Sequence, residues 1–261
     1  MSSRLASVLR FTFYVSLFIL LTLQITPTHA GGISAPVLKW AYAGCLPDGG
    51  NFWCDIGWYA SPAVADLDGD NKPEVLWGGY ELFALNGEDG TEQWSGDSGS
   101  RIWPGIAVAD LTGNGSLEVI VGRGGDSLTV YDSGGAVLWE RHPFGEGEIR
   151  TLAVEDLEGD GLMEIIVGRA SGGDYKQVNV YEPDGSVRPG WPARRVGEDG
   201  YGWGMYNENV TVGDLNHDGF AEIIAPTDTH YITGLDRNGN QLLANAAVYP
   251  NSDHNDNGII T

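Results

Sequence analysis

One acidic pattern recurs four times and constrains the fold more than any other feature of the chain. It first runs Ala65-Asp66-Leu67-Asp68-Gly69-Asp70-Asn71-Lys72-Pro73-Glu74-Val75-Leu76, and it returns at Ala109 to Ile120, Glu155 to Ile166 and Gly213 to Ile224. The leading aspartates are 44, 46 and 58 residues apart. A period of this size marks a stacked or radial repeat architecture rather than a conventional mixed domain.

Each repeat divides into four short strand-like runs. In the first these are Ser61 to Asp66, Glu74 to Trp77, Glu81 to Leu85 and Thr91 to Trp94, and the last two are joined by Asn86-Gly87-Glu88-Asp89-Gly90. The second gives Gly105 to Asp110, Glu118 to Val121, Ser127 to Tyr131 and Ala136 to Trp139. β-Branched and aromatic residues between Gly, Asn and Asp turns are a hairpin signature. Four antiparallel strands in about 45 residues is the arithmetic of a propeller blade. The fold class expected is therefore all-β, a partial β-propeller with about four four-stranded blades visible. A Trp closes the fourth strand of three units, at Trp94, Trp139 and Trp191. Val37-Leu38-Lys39-Trp40 looks like Ala136-Val137-Leu138-Trp139, so it reads as a detached fourth strand donated to a closing blade, a device that removes exposed edges. The chain stops at Thr261 without the first three strands of such a blade. The expectation is a fragment, incomplete at the C-terminus, of a longer propeller.

Within each repeat, oxygen-bearing side chains fall at positions 1, 3, 5 and 9 of a tight loop. They are Asp66, Asp68, Asp70 and Glu74; Asp110, Thr112, Asn114 and Glu118; Asp156, Glu158, Asp160 and Glu164; and Asp214, Asn216, Asp218 and Glu222. The carbonyl at position 7 (Lys72, Ser116, Leu162, Phe220) can complete the shell. A hard cation that takes six to eight oxygens, Ca²⁺ above all, suits this set better than Mg²⁺, which wants a strict octahedron and keeps its waters. An EF-hand is excluded, because its twelfth position is held here by Trp77, Val121, Val167 and Ala225. Charge grades the sites: the first and third offer four carboxylates, the fourth three, the second two. The second is expected to bind most weakly.

These loops, followed by Val/Ile-rich strands such as Glu118-Val119-Ile120-Val121-Gly122 and Glu164-Ile165-Ile166-Val167-Gly168, resemble the FG-GAP/VCBS repeats of integrin-α-like propellers. The resemblance runs from about residue 37 to 261. It implies a seven- or eight-bladed propeller with Ca²⁺ in hairpin loops, commonly used in adhesion or recognition. Thr112 and Asn114 depart from its pattern.

Residues 1–30 read as a secretory signal peptide, with Arg4 and Arg10 as the only charges, a mostly apolar run from Phe11 to Ile25, and a small residue at Ala30. The run is about 15 residues, short of the roughly 20 that a spanning helix needs. No second apolar segment follows, so the mature chain, residues 31–261, is expected to be secreted or cell-surface, with no membrane span. In that setting Cys45 and Cys54, bracketing a Pro/Gly-rich loop, read as a disulfide. Lys+Arg number 14 against 36 Asp+Glu, a net charge of -22, which excludes a basic footprint for nucleic acid.

In a four-stranded antiparallel blade the acidic 1→2 loops lie at one end. The longer insertions before strand one lie at the other and carry Trp53, Trp58, Tyr59, Trp103, Tyr201, Trp203 and Tyr206. Aromatics on loops over a rigid scaffold point to a ligand surface for protein or carbohydrate, or to a plugged channel. The function expected is a calcium-binding recognition or adhesion module. Two alternatives stand beside it: a lyase-like polysaccharide enzyme, for which His142, Arg150 and Arg169 would have to share one cleft, and a structural part of a larger surface protein.

Overall fold

Runs of Val, Ile and Leu between tight Gly/Asn/Asp turns give fifteen strands and no helix among the described residues. The computed structural model describes residues 37–42, 60–96, 99–170, 176–193, 204–206, 208–227, 232–242 and 259–260. The signal peptide, Cys45, Cys54, Trp53, Trp58, Tyr59, Tyr201 and Trp203 lie outside them. Met1–Leu38 and Lys39–Thr261 are two separate units, and the second carries the sheets.

The first blade is β1 (Ala63–Ala65), β2 (Glu74–Gly78), β3 (Leu82–Asn86) and β4 (Glu92–Ser95). The second is β5 (Ala107–Ala109), β6 (Glu118–Gly122), β7 (Leu128–Tyr131) and β8 (Val137–Arg141). Both are antiparallel, with spatial order equal to chain order. The expected strands are therefore present, with no end shifted by more than two residues. The third blade holds β9 (Glu148–Glu155), β10 (Glu164–Ala170) and β11 (Val178–Tyr181) as regular strands. Its fourth edge is reduced to the single bridges Tyr181↔Val187 and Val178↔Ala193. Pro189 and Pro192 lie between those bridges and cannot donate to a ladder, so Trp191 sits on a broken strand rather than a regular one. The fourth blade is β12 (Thr211–Gly213), β13 (Glu222–Pro226), β14 (Ile232–Leu235) and β15 (Ile259–Ile260).

The two middle strands of the inner blades are buried along their whole length, which is why they read as continuous apolar runs. Three cores join the blades face to face. Leu76, Leu82 and Ala84 of the first blade meet Val119, Val121 and Tyr131 of the second. Ile120, Leu128 and Val130 meet Ile165, Val167 and Tyr181. Ile166, Val178 and Val180 meet Ile223, Ala225 and Leu235. Position 2 of each acidic loop feeds these cores: Leu67, Leu111 and Leu157 are buried, whereas the equivalent Leu215 is 57% exposed. At the opposite end of the series Val64 of β1 is 64% exposed, while its counterparts Val108, Val154 and Val212 pack against the blade before them. Among the described residues the blades thus form an open series, with apolar faces uncovered at both ends.

The tryptophans have one repeated task. Each indole N–H donates to a carbonyl in the strand 3→4 turn of the next blade: Trp94 to Ser133 (3.0 Å), Trp139 to Pro183 (2.9 Å) and Trp191 to Arg237 (3.0 Å). Trp40 makes the same bond to Gly87 of the first blade (2.9 Å). It therefore occupies the place of a preceding blade's Trp, as the likeness to Trp139 predicts, although residues 37–42 pair in no strand. The rings lie so close to the turns that a Cβ at Gly90 or Gly135 would fall 2.6 Å from them, and both glycines have positive φ (75° and 86°). Glycine is required there twice over.

Candidate functional site

The four acidic loops share one wiring. The position-1 aspartate caps the loop's own backbone: Asp66 accepts from the N–H groups of Gly69 and Asn71, both at 2.9 Å. Asp110 accepts from Asn114 and Gly115, Asp156 from Gly159, Asp160 and Gly161, and Asp214 from Asp218 and Gly219. The position-5 side chains Asp70, Asn114, Asp160 and Asp218 accept from the N–H of position 7, which fixes Lys72, Ser116, Leu162 and Phe220. Position 9 is the first residue of the buried second strand. Its carboxylate turns back to the N–H of position 2 at 2.8 Å in all four: Glu74 to Leu67, Glu118 to Leu111, Glu164 to Leu157, Glu222 to Leu215. These are Asx-turn bonds plus one long return bond, so the loops curl around a point even without an added ligand.

In the second and third loops burial acts on that glutamate. Desolvation pushes Glu118 up, against the Leu111 N–H that favours its anion. Glu164 goes up to about 7, first because it is desolvated and then because Glu158 and Glu182 add negative charge, while the Leu157 N–H and Arg188 oppose the rise. A cation brought to such a group would be repaid by the ionised form.

The loops differ in what faces the glutamate. In the first, Asp66, Asp68 and Glu74 each put a carboxylate oxygen within 4.8 Å of the others, the one such group of three among the described residues. Asp70 is shared with the Lys72 ammonium at 3.4 Å. In the second, Asp110 and Glu118 are the loop's two carboxylates and Thr112 is exposed. In the third, Glu158 is turned to the Arg188 guanidinium, which also reaches Glu182 (3.2 Å) and Glu164 (3.7 Å). In the fourth, the Asn216 amide donates to Glu222 at 2.9 Å. The first loop thus gathers three of its four predicted carboxylates, and the third, graded equal to it by charge count, does not.

The other end of the blades carries a different chemistry. Arg101 lies 5.0 Å from the ring centres of both Tyr80 and Trp103, and Arg150 lies 3.6 Å from Trp103 and 4.0 Å from Tyr206. The result is an alternating series Tyr80–Arg101–Trp103–Arg150–Tyr206 built from all four blades or their entry segments. Arg150 is oriented by Glu148 at 2.6 Å, and Tyr206 at the end is 47% exposed. Two of the aromatic residues predicted for a ligand surface, Trp103 and Tyr206, are therefore brought together, around an arginine that the sequence alone did not link to them. Tyr80 and Arg188 were not singled out. Glu158, one methylene longer than the aspartate or asparagine at that position in the first and fourth loops, was the visible trace of Arg188.

His142 does not join the two arginines in a shared cleft. It lines a cavity of about 400 Å³ with Phe144, Lys176, Asn179 and Tyr181, and neither Arg150 nor Arg169 is in its wall. Arg169 is buried and paired with Glu146 at 3.3 Å.

Antiparallel four-stranded sheets, joined face to face by apolar cores and carrying an acidic loop between their first two strands, define a β-propeller of repeated blades. Residues 156–225 match the FG-GAP-like repeat family. No curated protein sequence matches it significantly. Among solved structures it is similar to the Pseudomonas aeruginosa PilY1 C-terminal domain, with a TM-score of 0.52, 16% identity, and 68% of this chain and 48% of that one covered. It is also similar to the quinohemoprotein alcohol dehydrogenase of Comamonas testosteroni, with a TM-score of 0.50, 17% identity, and coverage of 65% and 33%. The V. cholerae biofilm matrix protein Bap1 overlaps at a TM-score of 0.41 and 19% identity, covering 78% and 41%. The chain spans between a third and a half of the length of these solved chains. Among the described residues no helix is long and apolar enough to cross a membrane.

Proposed function

We propose that this chain is an extracellular, calcium-stabilised propeller module that recognises a carboxylate-bearing carbohydrate on the rim opposite its acidic loops. The observation that carries the reading is the Tyr80–Arg101–Trp103–Arg150–Tyr206 series. Aromatic faces stack on the C–H faces of sugars, and guanidinium forks pair with carboxylates in a planar, bidentate way. In a chain of net charge -22, Arg101, held between the rings of Tyr80 and Trp103 on this rim, gives an acidic glycan a defined place to dock. Arg150, paired with Glu148, holds the Trp103 and Tyr206 rings in place. Calcium belongs to the other end. Asp66, Asp68 and Glu74 with the Lys72 carbonyl fit a hard cation, and neutralising them would hold the first blade's loop closed.

The test is affinity electrophoresis of the full chain, with calcium, in gels containing polygalacturonate or a neutral glucan. Retardation by the acidic polymer that is lost in Trp103→Ala, with melting temperature retained, is the expected result. A folded protein that neither polymer retards, or a variant retarded as strongly as the parent, would overturn the reading and leave a protein ligand as the alternative.

A further inference from the structure

The strand register places one side chain of each blade beside the loop glutamate. Leu85, Tyr131, Tyr181 and Leu235 are equivalent positions on strand three, and their partners on the fourth edge are Glu92, Val137, Val187 and Gln241. The next residue along that edge is Gln93, Leu138, Arg188 and Leu242. In the first blade the Gln93 amide donates to Glu74 at 3.1 Å. In the second and fourth blades a leucine stands at the position. Only the third blade puts a cation there.

That cation is fully engaged. The Arg188 side chain is 7% exposed and forks among Glu158, Glu182 and Glu164, while its Nε donates to the Arg237 carbonyl of the fourth blade at 2.9 Å. Its own backbone N–H is held by Val180 at 2.9 Å. A guanidinium removed from water needs carboxylates around it, and a planar fork serves several at once. A divalent ion entering the third loop would take Glu158 and Glu164 from Arg188 and leave a buried guanidinium next to it. The two cations exclude one another.

We infer that the third loop carries its cation covalently: Arg188 occupies the place that the repeat pattern reserves for a metal ion, so this blade is folded without calcium. The loop with as many carboxylates as the first is then the metal-independent one, and Arg188 ties the third blade to the fourth whatever the calcium level. The inference draws on the calcium reading of the other loops for its contrast only.

Hydrogen exchange of the full chain, read on peptides covering each loop in excess calcium and in chelator, tests it. In the parent, residues 156–164 exchange equally in both conditions, whereas 66–74 slow by about tenfold or more with calcium. In Arg188→Leu, which installs the residue found in the second and fourth blades, residues 156–164 lose protection in chelator and regain it with calcium. Arg188→Gln, the first blade's choice, gives the same gain of calcium dependence should the leucine variant fold poorly. Calcium protection of 156–164 in the parent equal to that of 66–74 overturns the inference, and so does unchanged protection of that loop in both variants in chelator. If no loop of the parent responds to calcium, the calcium reading falls on its own, and the chelator arm still decides the role of Arg188.

Discussion

Truncating Trp139 to alanine removes one complete blade-to-blade contact and should lower stability by about 3 kcal/mol. The magnitude follows from what the ring touches. Its N–H bond to the Pro183 carbonyl at 2.9 Å is worth about 1 kcal/mol net. The tilted contact with Tyr181, at 6.2 Å between ring centres, adds about 1 kcal/mol, and the Arg141 guanidinium 5.5 Å above the ring roughly 0.5–1 kcal/mol. Trp139→Phe keeps an aromatic ring and loses the hydrogen bond, so it should lose about 1 kcal/mol. For a chain of this size those losses correspond to melting shifts of roughly 6–12 °C for alanine and 2–4 °C for phenylalanine. Val137→Ala on the same strand, 54% exposed, should stay within about 0.5 kcal/mol. Calorimetry of the three variants in saturating calcium gives the ordering directly. A phenylalanine variant as stable as the parent, together with an alanine variant within about 1 kcal/mol of it, would refute the claim that these indoles hold the blades together.

Calcium should raise the melting temperature, by the equivalent of about 3 kcal/mol at a hundredfold excess over Kd for one site. Asp66→Asn should abolish more of that response than Asp110→Asn, and an equal loss from both would count against the charge-graded loops. In chelator, stability should fall as pH rises from about 4.5 to about 7. Glu164 is held protonated up to about 7 in the folded chain against 4.5 ordinarily, so the folded state binds the extra proton throughout that window. The effect is at most about 3 kcal/mol. Glu164→Gln should lessen that fall, and a parent whose pH profile is superimposable on the variant's would show that the raised carboxyl is not there.

The blades were legible in the sequence because two signals agree in each repeat: a capped acidic turn, and a Val/Ile run that starts on its glutamate. Glu118-Val119-Ile120-Val121 reads as a strand from periodicity, and its burial on both faces follows from the run being unbroken. The fourth strand of the third blade was less legible. Trp191 marks its position, but Pro189 and Pro192 decide that it cannot pair along its length. The acidic loops could be enumerated but not ranked, because charge count ignores what the neighbouring strand sets beside the glutamate. Gln93, Leu138, Arg188 and Leu242 lie 19 to 24 residues beyond Glu74, Glu118, Glu164 and Glu222, and only the strand register shows that they are equivalent. The aromatic rim was legible as composition alone. Trp103, Arg150 and Tyr206 come from three separate segments, and no local pattern links them.

The direction of the tryptophan contacts has a consequence for the order of assembly. Among the described residues, four strand 3→4 turns, beginning with the one at Gly87, are each met by an indole that precedes the turn in the chain. A polypeptide made from its N-terminus therefore always displays the anchor before the hairpin that closes on it. Each new blade finds a finished docking surface behind it, and the uncovered apolar face travels forward with the growing end instead of accumulating.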